Sequence, residues 1–248
     1  MKDMLEEFLL IHAPSGYEAP LRAVLLEKIE NMGETTVDNM GNLILSIGEG
    51  KPHLAILAHM DELGFVISNI EKSGFLRFKK IGGIDDRMLP GSEIVLLGQY
   101  GPVKGVIGIK PPHLIIDQAD TKKTTPSDDL YIDVGAKNDE DTRAMGISIT
   151  TVGVFEKRLR EMAHNIVSSR ALDNRYGVTA LYEIACSIKD MKFQGKISLV
   201  WSVQEEIGTR GAQVIGRRLN PDFMIAIDTC SATDIPGVPA RFSPIKLG

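Results

Sequence analysis

Cysteine is nearly absent: Cys186 and Cys230 are the only two in 248 residues. Two thiols cannot build a disulfide framework, so the chain reads as a protein of a reducing compartment, the cytoplasm. Long apolar runs are missing too. None approaches the roughly 20 residues that span a bilayer, and the opening MKDMLEEFLLIHAP is acidic and amphipathic rather than a secretory leader. Positive charge is also short. Against 33 Asp and Glu stand 28 Lys and Arg, a net charge of −5, which gives no basic footprint for nucleic acid or an anionic membrane. Aromatic residues make up only 6% of the chain, but 43% is hydrophobic, enough for one large or two modest domains with a core.

What is present changes rhythm twice along the chain. Up to about residue 63, helix and strand signals alternate. Leu5, Phe8, Leu9 and His12 mark one helix face, ended by Pro14-Ser15-Gly16, and Leu21 to Ile29 continues as a second helix that stops near Gly33. Val37 and Leu43–Ile47 flank the turn Asn39-Met40-Gly41 as a hairpin, and the strand LAILAH follows. From Gly64 onward the helical period disappears. The short runs FVISNI, GFLRFKKI, SEIVLLG, VKGVIGI and LYIDVGA, separated by Gly, Pro and Asp turns, have the rhythm of a small all-β barrel or sandwich. Asp117–Asp129 is polar without an apolar period and reads as a loop. After about Ala163 the α/β rhythm resumes, with a helix over Asn174–Ile188, the strand ISLVWSV, a helix over Gly211–Leu219 and the strand FMIAI. The expected architecture is an α/β domain, residues 1–63 plus 165–248, on a mixed sheet, with a β-domain over 64–164 inserted into it.

Three of these strands end on metal-ligand chemistry. LAILAH ends in His59, with Asp61 two residues on; ISLVWSV runs into Glu205 and Glu206; FMIAI runs into Asp228. Ligands of open α/β sheets bind at the carboxyl ends of strands, so three such ends point at one pocket. Asp173, which opens a helix, is a fourth acid that can face it. Imidazole plus several carboxylates is the ligand set of a hydrolytic zinc-type site, and a two-metal site needs a carboxylate that bridges both ions. Each residue alone has a plainer reading. A histidine after a strand is commonly structural, Asp173 suits a helix N-cap, Glu205 and Glu206 suit compensation of a helix dipole, and Asp228 suits a turn. Four such coincidences at corresponding element ends are less economical than one shared site.

The segments AHMDELGF (58–65), ALDNRYG (171–177), QEEIGTRGA (204–212) and AIDTCSATDIPG (226–237) together resemble the dinuclear metallo-aminopeptidases of the tetrahedral and deblocking type, a family that includes glutamyl aminopeptidases. PSGYE (14–18), DNMGNLI (38–44) and YIDVGAKN (131–138) agree as well, in order along the chain. The resemblance implies two divalent ions, zinc or cobalt. In it His59 and Asp228 are metal ligands, Glu206 is a ligand of the other ion from Asp228, Asp173 is the bridge, Glu205 is the general base, and Asp61 orients His59. It further implies that the inserted β-domain makes dimers, which assemble into twelve-subunit shells, and that the reaction removes N-terminal residues from short peptides. Family members continue beyond Gly248 and carry a further histidine ligand there, for which His12, His53, His113 and His164 are poor substitutes. The expectation is therefore of either a fragment of a longer protein or a naturally short relative, with one ion weakly held and little hydrolysis. Two other readings use the same residues: a related dinuclear deacylase or carboxypeptidase, and a non-catalytic oligomeric scaffold.

Overall fold

The computed structural model describes residues 1–114, 123–239, 241, 245 and 246. Helices α1 (Lys2–Leu10) and α2 (Ala19–Lys28) open the chain, followed by strands β1 (Glu34–Val37), β2 (Leu43–Glu49) and β3 (His53–His59). Six strands come next: β4 (Gly64–Ile70), β5 (Leu76–Ile81), β6 (Glu93–Gly98), β7 (Gly101–Gly108), β8 (Tyr131–Asp133) and β9 (Val152–Phe155), with the short helix α3 (Asp139–Ala144) before the last. A hairpin, β10 (Arg160–Glu161) and β11 (Val167–Ser168), leads into α4 (Leu172–Ile188), β12 (Gly195–Ser202), α5 (Arg210–Leu219) and β13 (Phe223–Ala226).

Five strands form one mixed sheet in the order β1-β2-β12-β3-β13. β1 and β2 pair antiparallel with Val37 opposite Leu43, as the hairpin signal requires, and β12 is antiparallel to β2. On its other side β12 runs parallel to β3, with Ser202 opposite His59, and β13 runs parallel to β3 with Ala226 opposite Leu57. The carboxyl ends of β3, β12 and β13 therefore lie side by side. Alternation along the strands sends side chains to two faces. Leu43, Leu45, Leu199 and Trp201 pack with Phe8, Leu21, Leu25 and Leu181 from α1, α2 and α4, while Ile44, Leu57 and Val200 pack with Ile215 of α5.

Strands β4-β5-β8-β7-β6-β9 close into a barrel around Phe65, Phe78, Leu96, Ile107 and Ile132. The fold is thus a mixed α/β sheet interrupted by a closed antiparallel barrel, with barrel strands spanning Gly64 to Phe155. Details differ from the sequence pattern. α1 stops at Leu10, so His12 is not on its face. α3 lies within the β-rich stretch; DEDTRA has no apolar period, and the helix is set by Asn138, whose side chain accepts from the Asp141 N–H at 2.8 Å. Residues 117–122 of the expected loop lie outside the described residues, and Ser127–Asp129 near its end forms a single 3-10 turn.

Candidate metal centre

His59 sits at the last position of β3, 3% exposed, with its two ring nitrogens facing different groups. Nε2 lies 3.1 Å from Asp173 Oδ1, 3.8 Å from Asp228 Oδ1 and 3.9 Å from Glu205 Oε2. Nδ1 faces Asp61, 3.4 Å from Oδ1 and 3.1 Å from the backbone carbonyl. Two ligand-type groups share this imidazole: His59 with Asp173 and Asp228, and His59 with Glu205 and Glu206. In each, the candidate ligand atoms lie within 4.8 Å of one another. All six residues singled out in the sequence are therefore brought to one edge of the sheet. His53 is at the opposite end of β3, where Nε2 and Ser198 Oγ are 2.9 Å apart, and takes no part.

The helix start explains how Asp173 is left free. Its backbone is not helical (φ −78°, ψ 108°), and no side chain caps the first residue of α4. The next residue supplies the turn instead: Asn174 Oδ1 accepts from the Gly177 N–H at 2.9 Å, and Asn174 Nδ2 donates to the Ile227 carbonyl at 2.7 Å. Gly177 is required here, because a Cβ would collide with Asn174 Oδ1 and with Ala58 of β3. Asn174 thus seats α4 on the sheet and ties Asp173 to the strand end that carries Asp228. The N-cap reading of Asp173 falls to its neighbour.

Glu205 and Glu206 lie beyond the strand, in the turn between β12 and α5, where the alternation of side chains no longer applies. Asp61, fully buried, holds that turn: Oδ1 accepts from the Glu205 N–H at 3.0 Å, Oδ2 from the Glu206 N–H at 3.1 Å, and Ser15 Oγ donates to Oδ2 at 2.6 Å. Glu18 accepts from the Gln204 N–H at 3.1 Å, and Asn42 Oδ1 from the Val203 N–H at 3.0 Å. Glu18 and Asn42 lie in PSGYE and DNMGNLI, two of the segments that carry the family resemblance. Glu62, next to Asp61, centres a second buried group. Glu62 Oε1 takes Lys157 Nζ at 2.6 Å, Arg175 Nη2 at 3.0 Å and the Ala13 N–H at 2.9 Å. Arg175 also donates to the carbonyls of Phe8, Met60 and Ile11. Charged residues so deep are unusual unless paired, but partners 95 and 113 residues apart leave no local pattern.

The electrostatics follow from crowding five acids around one imidazole. Burial opposes a charge on His59, but hydrogen bonds to Asp173 and Asp61 outweigh it and lift the ring to about 10. Burial opposes the Asp61 carboxylate too, and hydrogen bonds from His59, Ser15 and the Glu205 N–H bring it below its usual value. The bond to His59 leads the lowering of Asp173. Burial raises Glu205, and raises Glu206 to about 7, with Asp173 and Asp61 adding to both and the charge of His59 opposing. One imidazole facing several carboxylates that resist being charged together is a donor set that fits divalent cations.

A family profile described as M42 glutamyl aminopeptidase matches residues 41–248. SgcX of Escherichia coli (strain K12) is 39% identical over 241 residues, 95% of this chain and 64% of SgcX. The lysyl aminopeptidase of Pyrococcus furiosus is 32% identical over 227 residues, 90% of this chain and 65% of that protein. This chain therefore spans slightly under two thirds of the length of these two relatives. Among solved structures, the TET1 peptidase of Pyrococcus horikoshii, which can assemble into a tetrahedron or a large octahedral shell, superposes with a TM-score of 0.86 at 37% identity, over 94% of this chain and 72% of the other. With the match running through the helix start of Asp173 and the turn of Glu205 and Glu206, the chain belongs to the M42 glutamyl aminopeptidase family.

Proposed function

We propose that the chain forms the metal-binding part of an aminopeptidase that removes N-terminal residues from short peptides. The observation that carries this reading is the convergence of His59, Asp173, Glu205 and Asp228 within 3.9 Å of one imidazole nitrogen, with Glu206 in the same group. His59, Asp173, Glu206 and Asp228 would hold two divalent ions, zinc or cobalt, with Asp173 in the bridging role that the family resemblance implies. When bound, such ions acidify water and polarise the scissile carbonyl. Glu205 is the general base: its carboxylate, raised by burial, accepts the proton of the attacking water and delivers it to the departing amine. Asp61 does not touch substrate. It fixes the ring of His59 through Nδ1 and the backbone of Glu205 and Glu206 through its two oxygens, so one carboxylate sets the spacing of base and ligands.

Residues 64–164 form the dimerisation domain in this reading, residues 1–63 with 165–248 belong to the catalytic domain, and the assembled state is a dodecamer built from dimers. The assembly of the TET1 peptidase supports this. Two cysteines without a disulfide, Cys186 and Cys230, fit a cytoplasmic location, and no described helix is long and apolar enough to cross a membrane. The test is to load the chain with zinc or cobalt, count bound metal by elemental analysis, and assay aminoacyl anilides beside N-acyl amino acids and C-terminally free peptides. Metal lost in His59→Ala together with release of N-terminal residues supports the reading. Release of acyl groups or of C-terminal residues instead would make the chain a deacylase or carboxypeptidase.

A further inference from the structure

Asp173 and Glu206 line a cleft of about 860 Å³ together with Phe155 at the end of β9 and with Arg160 and Ser168 of the hairpin β10–β11. Its other charged lining residues are Glu62, Glu93, Glu156, Arg158, Arg160 and Arg170. These three acids are engaged already, Glu62 with Lys157 at 2.6 Å, Glu93 with Arg158 at 3.0 Å and Glu156 with Lys104 at 3.1 Å. Arg160 is exposed to solvent, whereas Arg170, three residues before Asp173, is half-buried. Its guanidinium lies over the Phe155 ring, 4.1 Å from the centroid, and no carboxylate pairs with it among the described residues. Phe155 is itself buried and set edge-on to Phe65, 4.9 Å away, so the surface under the guanidinium is rigid. Burial lowers Arg170 from the usual arginine value, although an arginine keeps its charge at any physiological pH. Arg170 is thus a half-buried cation, stacked in place, with no paired carboxylate of its own among the described residues.

We propose that Arg170 is the carboxylate-binding group of this cleft and takes a carboxylate of the peptide substrate. The source is either the α-carboxylate of a short peptide or the side chain of an acidic residue. The planar fork of arginine matches a carboxylate with two parallel N–H···O bonds, and a guanidinium already seated on an aromatic face gives up little freedom on binding. For an α-carboxylate, the contact also sets polarity: with that end at Arg170, the amine end of a short peptide is left toward Asp173. The inference deepens the aminopeptidase reading and rests on it for the identity of the substrate, but the contact itself does not require hydrolysis.

The test compares the zinc-loaded chain with Arg170→Met on four substrates: Leu-Gly-Gly, its C-terminal amide, Leu-p-nitroanilide and Glu-p-nitroanilide. A loss in kcat/KM on the order of 10- to 100-fold for Leu-Gly-Gly, with the amide and Leu-p-nitroanilide little changed, assigns the α-carboxylate. The same loss for Glu-p-nitroanilide against Leu-p-nitroanilide assigns the side chain. Arg170→Lys keeps the charge without the fork and is expected to fall between; it is read in place of the Met variant should that one not fold. Calorimetric titration of the metal-free chain with Gly-Leu and Gly-Leu amide separates this inference from the catalytic one. Tighter binding of Gly-Leu, lost in the variant, keeps the subsite even where no hydrolysis is found, and in that case the aminopeptidase reading falls. Equal losses on all four substrates, or none, would overturn the subsite while hydrolysis itself still supports the enzyme.

Discussion

His59 and Glu206 both bind protons more tightly in the folded chain than their ordinary values of 6.5 and 4.5 imply, at about 10 and about 7. Both shifts are upward, so both groups stabilise the metal-free chain at low pH. The Glu206 contribution is complete below 4.5 and lost as pH rises through 7; that of His59 is complete below 6.5 and lost as pH rises through 10. A divalent ion must displace these protons, which gives metal uptake the opposite slope. Zinc affinity is expected to rise between pH 6 and 8, with proton release visible as a dependence of the calorimetric heat on the buffer's ionisation enthalpy. Affinity independent of pH and buffer would show that these two residues do not hold the ion. The catalytic assignment separates two neighbours in the same way. Glu205→Gln should keep bound metal and lose roughly 100- to 10,000-fold in kcat, the usual range for a general base. Asp173→Asn should instead lose metal, since a neutral amide is a poor bridge between cations. The reverse pattern, read by elemental analysis and steady-state kinetics, would exchange their roles.

Among the elements, what the sequence makes legible is whatever a local period encodes. LAILAH, ISLVWSV and FMIAI are apolar runs of strand length, and each ends on or just before chemistry, so β3, β12, β13 and the groups at their tips can be read directly. The start of α4 cannot. In ALDNRYG, both Asp173 and Asn174 are good capping residues, and only the hydrogen bonds to Gly177 and Ile227 show that Asn174 does the work. The trio of Glu62, Lys157 and Arg175 is equally illegible, because in sequence each is an ordinary charged residue and only the junction of α1, β3, α4 and the segment after β9 buries them together. That junction makes an asymmetric prediction. Glu62→Gln leaves two buried cations without a counter-charge and is expected to cost about 3–5 kcal/mol of stability. Lys157→Met leaves Glu62 paired with Arg175 and should cost less. Urea denaturation of both variants checks the order, and a larger loss for Lys157→Met would mean that Arg175 alone does not neutralise Glu62.

At the scale of the whole molecule, the barrel is joined to the α/β sheet through two chain crossings, Leu63 into β4 and Phe155 out of β9. Its loops carry exposed apolar side chains. The turn between β6 and β7 and the segment from α3 to β9 lie side by side, joined by the Gln99 N–H to the Gly146 carbonyl at 2.9 Å. They expose Tyr100 (76%) and Ile149 (49%). Aromatic and aliphatic side chains presented together are the usual anchors of a protein interface, whereas singly scattered ones such as Met191 at the end of α4, 59% exposed, need no partner. If the barrel is the dimerisation domain, its interface has to exceed roughly 1,000 Å² in total, and this patch is where a buried charge would be felt. Tyr100→Glu combined with Ile149→Glu is therefore expected to shift the chain from dimer to monomer in light scattering, with the thermal midpoint of the isolated protomer little altered. Met191→Glu should leave the dimer intact. A dimer that survives the double substitution but dissociates with Met191→Glu would move the interface from the barrel to the α/β domain.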